Sequence, residues 1–287
     1  VANASARYLV PLNKDGLTGA VGVVSSRSKP AGEAEALDVL SVSEALTARV
    51  RAPLHRSREF SLYGELGFSA IKSQTDLAGI KGYYSDRYDS ADLSLQLVDW
   101  VTRFGSTSAA LGYSQSVDDQ SDSPTSDDYD RRQRKATLNF RHSLGLTESV
   151  SFSLLGQGQY ANRPLLSGEK ISFGGSGIGR GFEPGFMAGE RGYGLSAELS
   201  YAAPVSLGES VQGRAQVFAF ADSAKVESVA TTGQVAASEK LYSLGLGLRF
   251  QVYNGLRAEI LWAKPIRHDR PRQSISEGLF FTLSYSW

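Results

Sequence analysis

Apolar and polar residues alternate along most of the chain, and the two C-terminal segments show the pattern with few interruptions. Tyr242, Leu244, Leu246, Leu248, Phe250 and Val252 fall on one face of an extended segment, with Ser243, Gly245, Gly247, Arg249 and Gln251 on the other. The last segment sets Leu279, Phe281, Leu283, Tyr285 and Trp287 against Gly278, Phe280, Thr282, Ser284 and Ser286. The same alternation recurs from Leu46 to Leu54, Phe60 to Phe68, Leu93 to Leu97, Ala136 to Phe140 and Val150 to Leu154. A period of two belongs to a strand with two unlike faces. A soluble sandwich alternates as well, so two further features decide. The segments run to roughly 10 residues or more, the length of a tilted strand across a bilayer, and their polar faces are small or glycine-rich, as a lumen lining is.

The pattern predicts strands at 4–12, 17–27, 38–54, 58–72, 82–99, 103–117, 130–144, 147–161, 192–204, 210–223, 239–252, 255–265 and 277–287. Short connections at 13–16, 54–58, 100–103, 144–147 and 253–255 alternate with long ones at 28–37, 73–81, 118–129, 162–191, 224–238 and 266–276. That asymmetry is the one found in outer-membrane barrels, whose short turns are periplasmic and whose long loops lie outside. It places Trp287 at the periplasmic end, with Trp100, Tyr193, Tyr201 and Tyr253 near strand ends as interfacial aromatics. Single-chain bacterial barrels have even strand numbers. The first visible strand runs from the outer side toward the Asn13 turn, so an odd number of strands is expected ahead of it.

Composition narrows the partners. Thirty basic residues balance thirty acidic ones among 287, which gives no polyanion-binding signature and argues against nucleic acid. No apolar run reaches the length of a membrane-spanning helix, and the first residues carry no charged region followed by an apolar core. The absence of cysteine rules out a disulfide framework and thiolate metal sites.

The densest chemistry lies in the 162–191 connection. Gly174, Gly175, Gly177, Gly179 and Gly181 surround Arg180, and an alternating strand follows. A phosphate cradle would need a helix N-terminus there. Farther along, Phe218-Ala-Phe-Ala-Asp222 places one carboxylate on a strand of small and apolar residues, a partner for the arginine of a loop folded into a barrel.

These residues resemble the transporters of two-partner secretion, the TpsB family of haemolysin and filamentous-haemagglutinin exporters, in the superfamily that includes the insertase BamA. The resemblance is carried by Gly158-Gln-Tyr160, Pro164 to Glu169, Ile171 to Gly175, Arg180-Gly-Phe182, Gly189 to Gly192, Glu198-Leu199, Phe220-Ala-Asp222 and the terminal aromatic strand, while Tyr8 to Leu12 looks like the family's fourth strand. It implies an all-β transmembrane antiparallel barrel, with residues 1–287 holding the last 13 of 16 strands and with 162–191 as a lumenal loop. Counting back from Trp287 as strand sixteen makes 147–161 strand eleven and 210–223 strand thirteen. The loop tip Arg180, Gly181 and Phe182, supported by Gly174, Gly175 and Gly179, is then expected to meet Asp222 on the wall. Strands one to three, a plug helix and two POTRA domains are implied to lie outside this stretch. The implied partners are a large TpsA-like protein secreted unfolded, outer-membrane lipid, and the barrel-assembly machinery, which would read Phe281, Tyr285 and Trp287. No cofactor, metal or nucleotide is implied. Two residues depart from the family pattern: Gly179 stands where valine is usual, and Ser223-Ala224 where a glycine is expected.

Other readings are weaker in the residues themselves. An insertase of the same superfamily and a passive diffusion channel share the pattern. The acidic stretch Asp118 to Asp130 lacks the ordered spacing and glycine of a calcium loop. His142 is expected on the outward face near the periplasmic rim, His55 in a turn and His268 in a loop. None has an activated serine and an orienting third group at a recognisable spacing.

Overall fold

The structure is a computed structural model, described over residues 2–28, 40–77, 80–103, 105–121, 133–165, 167–206, 212–230, 236–252, 255–269 and 277–285. Long alternating segments form long strands: β1 (Ala2–Pro11), β2 (Thr18–Ser28), β3 (Leu40–Arg56), β4 (Ser61–Leu77), β5 (Ile80–Thr102), β6 (Gly105–Ser121), β7 (Arg134–Gly145) and β8 (Val150–Ala161). A short hairpin of β9 (Ile171–Phe173) and β10 (Met187–Gly189) follows. The long strands then resume with β11 (Arg191–Ser206), β12 (Gln212–Glu227), β13 (Ser238–Val252), β14 (Leu256–His268) and β15 (Gly278–Tyr285).

Thirteen of these strands form one antiparallel sheet in chain order, β8 pairing directly with β11 so that the hairpin stands outside the wall. All thirteen expected strands are present. The main difference is at 73–81, expected as a long loop. There β4 and β5 keep their pairing to Leu77 and Ile80, so the ladder continues past the strand ends expected from the pattern. His55 and His268, expected in a turn and a loop, lie in the last residues of β3 and β14. Most of the acidic stretch, from Asp122 to Asp130, lies outside the described residues.

The period of two sorts the wall into unlike faces. Val21, Leu46, Leu66, Leu93, Leu111, Leu138, Leu195, Leu246 and Phe281 are exposed on the outward face. The opposite face carries Arg49 bonded to Glu65 at 2.8 Å and Ser69 bonded to Asp92 at 3.1 Å. An apolar outward face with a polar inner one is the arrangement lipid requires of a spanning barrel wall. No helix among the described residues is long and apolar enough to cross a membrane.

The 162–191 segment packs on the inner face. Contacts from β5, β7, β8 and β11 to β14 converge on this one loop, so the sheet curls around it. Phe173, Ile178, Phe182, Phe186 and Met187 of the loop form a buried apolar cluster with Ala224 and Val226 of β12 and Leu241 of β13. Ala224 and Val226 of β12 and Leu241 of β13 are inner-face residues, so they mark where the loop rests.

Candidate functional site

Local geometry explains the glycines first. Gly174, Gly175 and Gly179 have φ of +115°, +88° and +93°, a region that L side chains rarely enter. They let the chain double back, closing bonds from Gly174 N–H to the Ile178 carbonyl and from Gly175 N–H to the Phe182 carbonyl, both 2.9 Å. Phe182 N–H then donates to the Gly179 carbonyl at 2.9 Å, which makes Gly179 to Phe182 a tight turn with Arg180 at its second position. Gly181 is needed for a different reason. A Cβ there would stand 2.9 Å from the Pro265 backbone nitrogen and 3.0 Å from the Lys264 carbonyl carbon, so the tip lies directly against the backbone of β14. Phe182 turns into the apolar cluster and packs tilted against Phe186 with ring centroids 4.8 Å apart.

Arg180 and Asp222 meet as the sequence suggests, and they do so away from water, Arg180 being 8% and Asp222 3% exposed. Arg180 Nε and Nη2 grip the two carboxylate oxygens at 3.2 and 3.0 Å, a planar fork on a planar acceptor. The backbone N–H groups of Gly179 and Arg180 donate to Asp222 Oδ2 at 3.1 and 2.8 Å, and Ser243 Oγ donates at 3.3 Å. The carboxylate therefore holds both the side chain and the main chain of the turn. Gly179, where the family usually has valine, is part of this grip: its left-handed φ aims its N–H at Asp222. Ala224, where a glycine is expected, fills the apolar cluster below the turn.

Three partners of Arg180 were not assigned from sequence. Nη1 donates to Glu198 Oε2 at 2.7 Å and Nη2 to Ser196 Oγ at 2.7 Å, both on β11. The guanidinium carbon lies 3.6 Å from the centroid of the Phe220 ring. Glu198 also receives Arg249, which bonds Glu259 of β14 at 2.6 Å and lies 3.8 Å over the Phe218 ring. Positive and negative groups thus alternate along one chain of contacts, Asp222, Arg180, Glu198, Arg249, Glu259, across four neighbouring strands, with each arginine laid on an aromatic face. The two rings stay flat because their cross-strand partners on β13 are glycines: Phe218 faces Gly247 and Phe220 faces Gly245. A Cβ on Gly247 would come within 2.2 Å of the Phe218 ring, and one on Gly245 within 2.5 Å of Phe220. The signal was present in the sequence, as two phenylalanines on the lumen-facing register of β12 opposite the glycines of β13. Without a register, their role could not be read.

The foot of the loop has its own anchorage. Glu169 accepts from Tyr88 of β5 at 2.5 Å and pairs with Lys135 of β7, while its carbonyl accepts from Gln159 of β8 at 3.0 Å. Glu190, buried, pairs with Lys170 at 2.8 Å and accepts from Val229 N–H at 3.0 Å.

The remaining candidates lie elsewhere. Phe281 and Tyr285 are exposed on the outward face of β15, and Trp287 lies outside the described residues, as does Tyr253. His142 Nδ1 shares a 2.9 Å hydrogen bond with Thr107, and His55 stacks on Phe60. Neither histidine joins a serine and a carboxylate. Among the described residues no group of three or more histidine, aspartate or glutamate side chains is placed to hold a metal.

Chains of this kind occur among known proteins. The family model of haemolysin secretion/activation proteins ShlB/FhaC/HecB matches residues 2–250. CdiB from Escherichia coli superposes with a TM-score of 0.71 at 17% identity, covering 93% of this chain and 49% of that one. CdiB from Acinetobacter baumannii gives 0.72 at 18% identity, with 99% and 50% covered. BamA from Haemophilus ducreyi lacking POTRA domains 1–3 gives 0.67 at 18%, with 98% and 62% covered. The chain thus spans about half the length of the CdiB structures it matches, and at these identities the likeness is one of fold. No curated protein sequence matches.

Proposed function

This chain belongs to the haemolysin secretion/activation protein family ShlB/FhaC/HecB, whose members are barrel proteins of the bacterial outer membrane, and from that premise we propose that it forms the wall and lumenal loop of a two-partner secretion transporter. A large secreted partner protein passes through the barrel unfolded and folds outside. No nucleotide is at hand there, so folding of the cargo at the surface supplies the direction of transport.

The observation that carries this reading is the buried clasp of Arg180 on Asp222. A passive pore has no need to hold a glycine-rich turn with two backbone donors, a bidentate ion pair and an aromatic bed. Removing one partner of a buried pair costs about 3–5 kcal/mol, so the clasp defines one loop position sharply against others. We assign Arg180, Gly181 and Phe182 the role of holding the loop where the barrel is competent for export, and Asp222 the role of its anchor. The work done is conformational: the clasp forms and breaks no covalent bond.

The test is coexpression of the full-length protein with the large secreted protein encoded beside it, following where that partner accumulates. Appearance of the partner outside the cell only when this protein is present supports export. A correctly inserted barrel that leaves the partner in the periplasm would shift the reading to an insertase. Steady conductance in planar bilayers that ignores Arg180 would shift it to a diffusion channel.

A further inference from the structure

The outward face of the wall carries its cations at one end. Arg134 of β7, Arg191 of β11, Lys225 of β12, Lys240 of β13 and Arg267 of β14 all occupy outward positions at the margin from which the 162–191 loop departs. Their orientation follows from inward neighbours: Lys135 reaches the loop's Glu169, a Cβ on Gly192 would touch Ile171, and Ala224, Val226 and Leu241 are buried in the loop cluster. At the same level stand outward, exposed tyrosines, Tyr113, Tyr160, Tyr193 and Tyr242, the aromatic level that marks a headgroup region.

Beyond those tyrosines, toward the short-turn margin, the outward positions of β11 to β13 are apolar or small, as in Leu195, Leu199, Ala219, Leu244 and Leu246. The strand arginines of that half, Arg141, Arg214, Arg249 and Arg257, lie on the inner register, and its exposed cations Lys14, Arg56, Arg58 and Arg103 sit in or beside the short turns. An interfacial anchor that merely met water would be needed at both margins. A row of outward strand cations at one margin answers an anionic leaflet on that side.

Two details sharpen the ligand. Lys225 and Lys240 are direct cross-strand partners, and like charges placed opposite each other destabilise a sheet unless an anion shares them. Tyr242 is paired with Arg267 one step below, which puts a guanidinium beside the two ammonium groups. Lys225 has Glu227 as a partner along its own strand, whereas among the described residues no carboxylate lies in ion-pair reach of Lys240 or Arg267. From β11 to β14 the row spans roughly 15 Å at the usual strand spacing, wide enough for more than one phosphate.

We propose that Lys225, Lys240 and Arg267, with Tyr193 and Tyr242 beside them, form a binding site for the phosphates of the outer leaflet's phosphorylated glycolipid, whose acyl chains run down the apolar face below. The site rests on the outer-membrane placement of the family and is independent of the export reading. Lysine and arginine are the residues that recognise phosphate.

The test is native mass spectrometry of the full-length protein in detergent with bis-phosphorylated lipid A. The wild type should retain the lipid, and the Lys225→Gln, Lys240→Gln, Arg267→Gln triple variant should retain at least tenfold less. Dephosphorylated lipid A should be retained by neither. Lys240→Glu separates binding from folding, because it replaces an unfavourable cross-strand pair by a favourable one. It should leave the thermal transition unchanged or raise it while lowering lipid retention. Equal retention by the triple variant, equal retention of dephosphorylated lipid A, or equal retention of phosphatidylglycerol would each overturn the site.

Discussion

At the scale of single residues, Asp222 and Arg180 matter by geometry more than by charge. Asp222 accepts from two backbone N–H groups as well as from the guanidinium, so its removal frees main chain and side chain together. Docking can be read with one cysteine placed at Ile178, buried in the loop cluster of an otherwise cysteine-free chain. Maleimide labelling of Ile178→Cys should be slow and should become fast when Asp222→Ala is added. Arg180→Lys keeps the charge and loses the fork, the second carboxylate and the flat contact with Phe220, so it should label nearly as fast as Arg180→Ala. Phe220→Leu removes only the aromatic face, worth about 0.5–2 kcal/mol, and should accelerate labelling less. Equal labelling of all these variants would remove the clasp from the explanation.

At the scale of elements, β12 and β13 act as one device. The aromatic residues of β12 lie on the glycines of β13, and this bed is what the arginines rest on. Gly245→Val should press on the Trp262 carbonyl of β14 and on the Phe220 ring, 2.3 and 2.5 Å from its Cβ, and so loosen Arg180 although it touches neither partner of the ion pair, visible as faster labelling of the same cysteine. Gly179→Val restores the residue usual in the family but places a β-branched side chain at φ +93° and 3.1 Å from Leu241. Strain of this kind costs about 1–3 kcal/mol, so the variant should undock the loop rather than firm it. These elements also show what was legible beforehand. Alternation located every long strand, since a lipid-facing wall enforces a strict period of two. It did not reveal that β4 and β5 run on to Leu77 and Ile80, because Lys72-Ser-Gln-Thr-Asp76 holds no apolar residue to write a pattern. It placed Arg180 against Asp222 only through the glycine-rich turn and a family resemblance. Glu198, Arg249 and Phe220 stayed unassigned, because their meaning depends on cross-strand register, and so did Glu169, whose partners lie on β5 and β7.

At the scale of the molecule, a single loop is tied to the wall at two separate stretches, at its foot by Tyr88 and Lys135 and at its tip by Asp222 and Glu198. Two separate attachments make the loop a strap across the inside of the barrel. Glu169→Ala should free the foot and leave the tip docked, so that labelling at Ile178→Cys changes little while protease cleavage near Ser167 becomes faster. Under the proposed export function, passage of a polypeptide would require the strap to stand in one defined place or to move from it, and the clasp is what we propose sets that place. The most direct measurement is export of the secreted partner by Arg180→Ala compared with wild type at equal abundance of inserted barrel. Export should fall severely in the variant while insertion is preserved. Export undiminished at equal abundance would contradict the role given to the clasp.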